Sequence, residues 1–126
     1  MESILNTIKQ MLGPNEDVTA FDTDIIFFIN SAFSELNQMG VGPEDGFSIE
    51  DLAALWDDFI PNEDKRYGMV KEYIYLSVKL GFDPPTNSSV LTSMERRKDR
   101  LEWRLYTLSQ TKTDTDSEVD ENGSDV

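Results

Sequence analysis

Residues 21–40 read FDTDIIFFINSAFSELNQMG, and their spacing decides the fold. Ile25, Phe28, Ala32 and Leu36 fall on one stripe of a helix, and Ile26, Ile29 and Phe33 fall on a second stripe beside it. An apolar face that wide exceeds what a helix packed on one side needs, so this helix is expected at the centre of the domain or at a subunit contact. Gly40 is a suitable C-terminal stop after about Met39, and Gly42-Pro43 continues the turn. Upstream, Thr19-Ala20-Phe21-Asp22 resembles a capping box, and Asp22 and Asp24 suit the positive end of the helix.

Working outward, each neighbouring segment repeats the helical period. Ser3 can cap a first helix with Leu5, Ile8 and Leu12 on one face, which Gly13-Pro14 ends. After a loop over 43–48, Ser48-Ile49-Glu50-Asp51 predicts a short, partly irregular helix with Ile49, Leu52, Ala53, Trp56 and Phe59 at helical spacing. Pro61-Asn62 breaks it, and Glu63-Asp64 are expected to open the next helix. That helix carries Met69, Tyr73, Leu76 and Leu80 on one stripe, with Val70, Ile74 and Val78 close by. It must end near Phe82, because Asp83 precedes Pro84-Pro85 and a residue before proline is pushed out of the α region. Asn87 or Ser88 can cap a last helix whose stripe is Val90 or Leu91, Met94, Leu101, Leu105 and Leu108, with Trp103 on a flank. No segment alternates with period two, so the expected fold class is all-α: a small bundle of four to five helices over residues 1–110. Residues 111–126, TKTDTDSEVDENGSDV, carry six acids, one base and no aromatic, and are expected to form a disordered acidic C-terminal tail.

Composition removes most chemistry. The chain has no Cys and no His, so disulfides, ordinary zinc sites and both Ser-His and Cys-His catalytic arrangements are excluded. No apolar run is longer than that of Ile25 to Ile29, far short of the ~20 residues of a membrane-spanning helix. The start, MESILNTIKQ, lacks the basic and apolar regions of a signal peptide, and a soluble intracellular protein without a membrane partner is expected. Binding or assembly is expected, not catalysis, with no catalytic residues, cofactor or metal.

The net charge of −14 is segregated. Residues 10–64 hold 13 acids and no Lys or Arg, whereas residues 65–112 hold ten bases and five acids. Blocks of charge report on partners more than on fold. Arg96, Arg97, Lys98, Arg100 and Arg104 form the only basic cluster, interspersed with Glu95, Asp99 and Glu102. Three readings of it stay open: a solvated helix face with weak ion pairs, a nucleic-acid contact, or a contact with an acidic protein surface. Asp57 and Asp58 are adjacent, so on a helix they point about 100° apart and make no acid/base pair. The tail acids Asp114, Asp116, Glu118 and Asp120 miss a calcium loop, because Val119 stands where the turn demands Gly and no helices flank it. Gly40-Val41-Gly42 follows a helix and is no dinucleotide fingerprint.

Several of these stretches resemble the head-tail connector (head-completion adaptor) proteins of long-tailed bacteriophages of Gram-positive hosts. The resemblance rests on Phe21-Asp22-Thr23-Asp24-Ile25-Ile26 with Ile29-Asn30, Gly40-Val41-Gly42-Pro43, Gly46-Phe47-Ser48-Ile49 and Trp56-Asp57-Asp58-Phe59. It continues with Val70-Lys71-Glu72-Tyr73-Ile74-Tyr75-Leu76, Phe82-Asp83-Pro84-Pro85 and Glu102-Trp103-Arg104-Leu105. It covers roughly residues 2–108 and leaves the acidic tail out. It implies a structural virion subunit, made in the host cytoplasm, that forms a dodecameric ring at the head-tail junction. The implied partners are further copies of the chain, the portal protein and the next neck or tail-completion protein, with dsDNA passing through the channel without specific binding. On that reading Arg96, Arg97, Lys98, Arg100, Arg104, Asp57, Asp58 and Trp103 are candidates for the subunit or portal interface. Asp83, Pro84 and Pro85 are the candidate elbow between the last two long helices. The alternative is a compact acidic DNA mimic or another small phage-encoded inhibitor, suggested by the charge and opposed by the basic half.

Overall fold

The protein, seen in a computed structural model, is described here over residues 2–13 and 19–125, with side chains as far as residue 110. Five helices follow one another: α1 (Ile4–Leu12), α2 (Asp22–Gln38), α3 (Trp56–Phe59), α4 (Tyr67–Phe82) and α5 (Ser88–Asp125). Among the described residues no strand forms. One isolated antiparallel bridge joins Ser3 to Leu55. The expected acidic tail, residues 111–126, lies outside the residues whose side chains are described.

α2 and α4 form the central pair; α5 packs on α4, and α1 closes the bundle against both. The wide face of α2 is used as its sequence demands: Ile25, Ile29, Ala32, Phe33 and Leu36 are buried, and Ile26 and Phe28 are half-buried. From α4, Val70, Tyr73, Ile74, Leu76 and Val78 meet them. Leu101 and Leu105 seal the far side from α5. Gly81 lets α4 approach α2 closely, because a Cβ there would stand 2.6 Å from the ring of Phe28.

The helix ends largely obey the sequence. Ser3 Oγ accepts the Asn6 N–H, and Asn87 Oδ1 accepts those of Ser89 and Val90. α2 stops at Gly40, whose φ of +82° is open to glycine. There the Val41 N–H reaches Leu36 O and the Gly40 N–H reaches Asn37 O, the Schellman arrangement. α4 ends with Asp83 at φ −145° and ψ 63°, outside the helical region as its place before proline requires.

Three expectations are corrected. Thr19 does not cap α2: Phe21 holds that position without a side-chain bond, and the Asp22 carboxylate turns instead to the Lys9 ammonium at 2.8 Å. Glu63 and Asp64 do not open α4. Asp64 takes the Arg66 N–H and pairs with its guanidinium at 2.8 Å, so the helix starts at Tyr67. The segment 48–59 is helical only over Trp56–Phe59. Asn30 on α2 holds the backbone of Ile49 extended, donating to its carbonyl (3.0 Å) and accepting its N–H (2.8 Å). The Ile4 N–H and Trp56 N–H bond to Ala54 O and Glu2 O, which pins residues 54–56 against the start of α1.

Trp56 then anchors the short helix. Its ring is buried, and its Nε1–H donates to Thr7 Oγ1 at 3.0 Å. The Lys71 ammonium lies 5.4 Å from the Trp56 ring centroid and 4.5 Å from that of Tyr67, and pairs with Glu2 at 2.9 Å. Phe33, Phe47 and Phe59 form an aromatic triad with centroids 4.5–5.4 Å apart, each pair worth about 0.5–1.5 kcal/mol beyond its burial. Through it the 43–55 loop is fixed to the core and its acids are held on the surface.

Candidate functional site

α5 carries the basic cluster, and its helical pitch divides it. Arg97 faces α4 and makes a two-pronged ion pair with Glu72, at 2.7 and 2.8 Å. These hydrogen bonds hold the Glu72 carboxyl below its ordinary pKa and the Arg97 guanidinium above its own. Lys98 faces the seam with α2, with its ammonium 3.7 Å from Glu35 and 5.4 Å from the Tyr73 ring centroid. The Tyr73 hydroxyl donates to the same Glu35 at 2.7 Å; burial, then that hydrogen bond, push the phenol well above its ordinary pKa. Arg97 and Lys98 therefore serve the bundle. Arg96, Arg100 and Arg104 face solvent.

Trp103 stands with them, 67% exposed, and Tyr106 follows one turn later, 45% exposed. Both border a shallow cleft of about 360 Å³ shared with Met39, Asp99 and Glu102. A side chain that large and that uncovered is unusual on a small domain, and Trp, Tyr and Arg are the residues that most often dominate binding at protein interfaces.

Glu95, Asp99 and Glu102 share the exposed face of α5 with its arginines, and the acids of residues 50–58 lie elsewhere. Asp58 accepts the Leu55 N–H at 2.9 Å and so serves the start of α3, while Asp57 beside it is exposed. Glu50 and Asp51 sit on the 43–55 loop next to Leu52, which is 52% exposed. They rim a cavity of about 500 Å³ whose apolar lining is Leu5, Ile26, Leu52 and Ala53, with Asp22 and Thr23 completing it. Asp51 also takes the Ala53 N–H at 2.8 Å, which fixes the rim.

Asp83, Pro84 and Pro85 occupy the link between α4 and α5, and Asp83 pairs with Lys79 one turn back at 2.9 Å. Nearby, Phe21 packs edge-on against Phe82 with centroids 5.5 Å apart.

Sequence reasoning placed Trp103 and the arginines on one helix but missed Leu52, Glu50 and Asp51 as part of a concave feature. A loop residue that is large, apolar and flanked by acids was the available signal. The cavity itself is assembled from α1, α2 and the loop, and no local pattern encodes that meeting. Among the described residues no group of His, Cys, Asp and Glu could hold a metal ion, and no helix is long and apolar enough to cross a membrane.

A family model described as phage connector protein matches residues 4–112, a span that begins with α1 and runs into α5 past Ser109, the last of its described residues that is buried. No curated protein and no solved structure matches the chain.

Proposed function

The chain belongs to the phage connector protein family, and on that premise we propose that it is the ring-forming subunit that completes the head-tail junction of a long-tailed phage of a Gram-positive host. In this reading it is a structural component of the virion. Copies close into a dodecameric ring below the portal protein, extend the DNA channel, and present a docking surface to the next neck or tail-completion protein.

The observation that carries the reading is the extent of the family match, which takes in every helix of the bundle. The charge supports it. A channel subunit must let DNA slide, and a chain of net charge −14 with 55 consecutive residues free of Lys and Arg offers phosphate little to hold. The segregation of acids and bases along the chain also suits an assembly whose subunits meet through two different faces.

The test is genetic and structural. Removing the gene from the phage that encodes it should leave DNA-packaged heads and separate tails in electron micrographs, and the protein supplied in trans should restore joined particles. Complete virions in its absence would overturn the reading.

A further inference from the structure

The charges on the exposed face of α5 cancel in sum but not in place. At about 100° per residue, Glu95, Asp99, Glu102 and Tyr106 fall within about 60° of one another around the helix, and Arg96, Arg100 and Arg104 are centred about 130° away. Trp103 stands at the edge of the acidic stripe. The cleft of about 360 Å³ opens on that stripe and holds no arginine in its lining. Asp99 and Glu102 give it two carboxylates, Trp103 and Tyr106 two exposed rings, and Met39, at the end of α2, an apolar wall. Among the described residues Asp99 and Glu102 make no ion pair or hydrogen bond, and neither ring has a cation or another ring against it.

We infer that this cleft receives an arginine side chain from a segment of a different protein. Whatever covers Trp103 and Tyr106 must also cover Asp99 and Glu102, and burying two carboxylates under an apolar chain is costly, so the occupant carries positive charge. Rings beside carboxylates favour guanidinium over ammonium: its plane stacks on an indole face while its edge forks to a carboxylate, and it gives up water more easily. Phosphate is repelled, which excludes DNA. A second copy is a poor occupant, because its Arg96 and Arg100 arrive with Glu95, Asp99 and Glu102 beside them, and its Arg97 and Arg104 already act on Glu72. The net charge of −14 draws a basic chain in from a distance, and the cleft gives it a place to stop. This inference does not rest on ring closure.

Trp103 supplies the readout. The only other tryptophan, Trp56, is buried, so quenching by neutral acrylamide reports on Trp103. A short peptide alternating Arg and Gly should protect the indole, the same peptide with Lys should bind about threefold more weakly or worse, and one with uncharged citrulline should not bind. By calorimetry, Trp103→Leu, and separately Asp99→Asn with Glu102→Gln, should each weaken the arginine peptide about tenfold or more. Asp45→Asn with Glu50→Gln removes the same charge from the 43–55 loop and should change binding less than about threefold. All these side chains are exposed, and circular dichroism should show each variant folded like the parent. Equal losses from the two charge-removing pairs, unchanged binding in Trp103→Leu, or equal binding of the arginine and lysine peptides would overturn the inference. So would loss of self-association in Asp99→Asn with Glu102→Gln, which would assign the cleft to a second copy. None of these outcomes touches the head-tail reading, whose test is the deletion phenotype.

Discussion

Asn30 grips Ile49 by both of its backbone groups, with the side-chain amide donating to the carbonyl at 3.0 Å and accepting the N–H at 2.8 Å. Ile49 is buried and Asn30 half-buried, so water replaces these bonds poorly. Replacing Asn30 by Ala leaves a donor and an acceptor unpaired, each costing about 1–3 kcal/mol. Asn30→Ala should lower stability by about 2–4 kcal/mol, read as a fall of roughly 10 °C or more in the thermal midpoint. A change below about 2 °C would show that the loop does not depend on this clamp.

Two loop glycines should respond differently to the same substitution. Gly42 and Gly46 have φ of +89° and +94°, so an Ala at either is strained by about 1–2 kcal/mol. At Gly42 the new Cβ would also lie 2.3 Å from the Phe59 ring, while at Gly46 it meets nothing within 4 Å. Gly42→Ala should therefore cost about 2–4 kcal/mol and disturb the Phe33–Phe47–Phe59 triad, visible in near-ultraviolet circular dichroism. Gly46→Ala should cost only the backbone part. Equal losses would contradict the placement of Phe59.

The Glu72–Arg97 pair should make a small, pH-dependent contribution. Glu72 has a lowered pKa in the fold, so its share of stability is fully present above the ordinary value of 4.5. That share is lost as pH falls through the depressed value. Both side chains are more than a third exposed, so screening limits the effect to about 0.5 kcal/mol. Urea unfolding of the parent and Glu72→Gln should differ by that amount at pH 7 and coincide in acid below both pKa values. A difference that persists in acid would assign the effect to packing.

Pro84 and Pro85 lie between two helices that pack on each other. Replacing both by Ala frees Asp83 from the restriction that ends α4 and lets the last turn run on. Double substitution should leave helicity and the thermal midpoint nearly unchanged while cutting the yield of assembled rings severalfold, because ring closure tolerates little error in subunit shape. Unchanged assembly would show that α4 and α5 hold their angle through side-chain packing alone.

The helices were legible because their evidence is local. Ile25 to Leu36 show their period within a dozen residues, and Ser3, Gly40, Asp83 and Asn87 act within one turn of where they stand. Misreadings occurred where a distant partner overrode a local preference. Ser48 to Phe59 carries helical spacing, but Asn30, 19 residues before Ile49, holds it extended. Thr19 and Asp22 have capping chemistry, but Lys9 claims the carboxylate. The candidate surface followed the same rule. Its arginines were visible as a cluster, yet which of them point inward depended on Glu72 and Glu35, 25 and 63 positions away from Arg97 and Lys98. The cavity under Leu52 needed three segments to meet.

The Lys9–Asp22 contact reaches beyond the joint between α1 and α2. Lys9 is 7% exposed, and the next Lys or Arg is Lys65. Trypsin, which cuts after these residues, thus finds the first half of the folded chain sealed at its one internal recognition point and empty of others until the turn before α4. Cutting at Lys9 requires the ammonium to leave Asp22 and the strand of chain around it to open. The buried lysine acts as a tamper seal: a protease pulse releases the first nine residues only from molecules in which α1 has come away, so the fragment counts openings of the native bundle one by one.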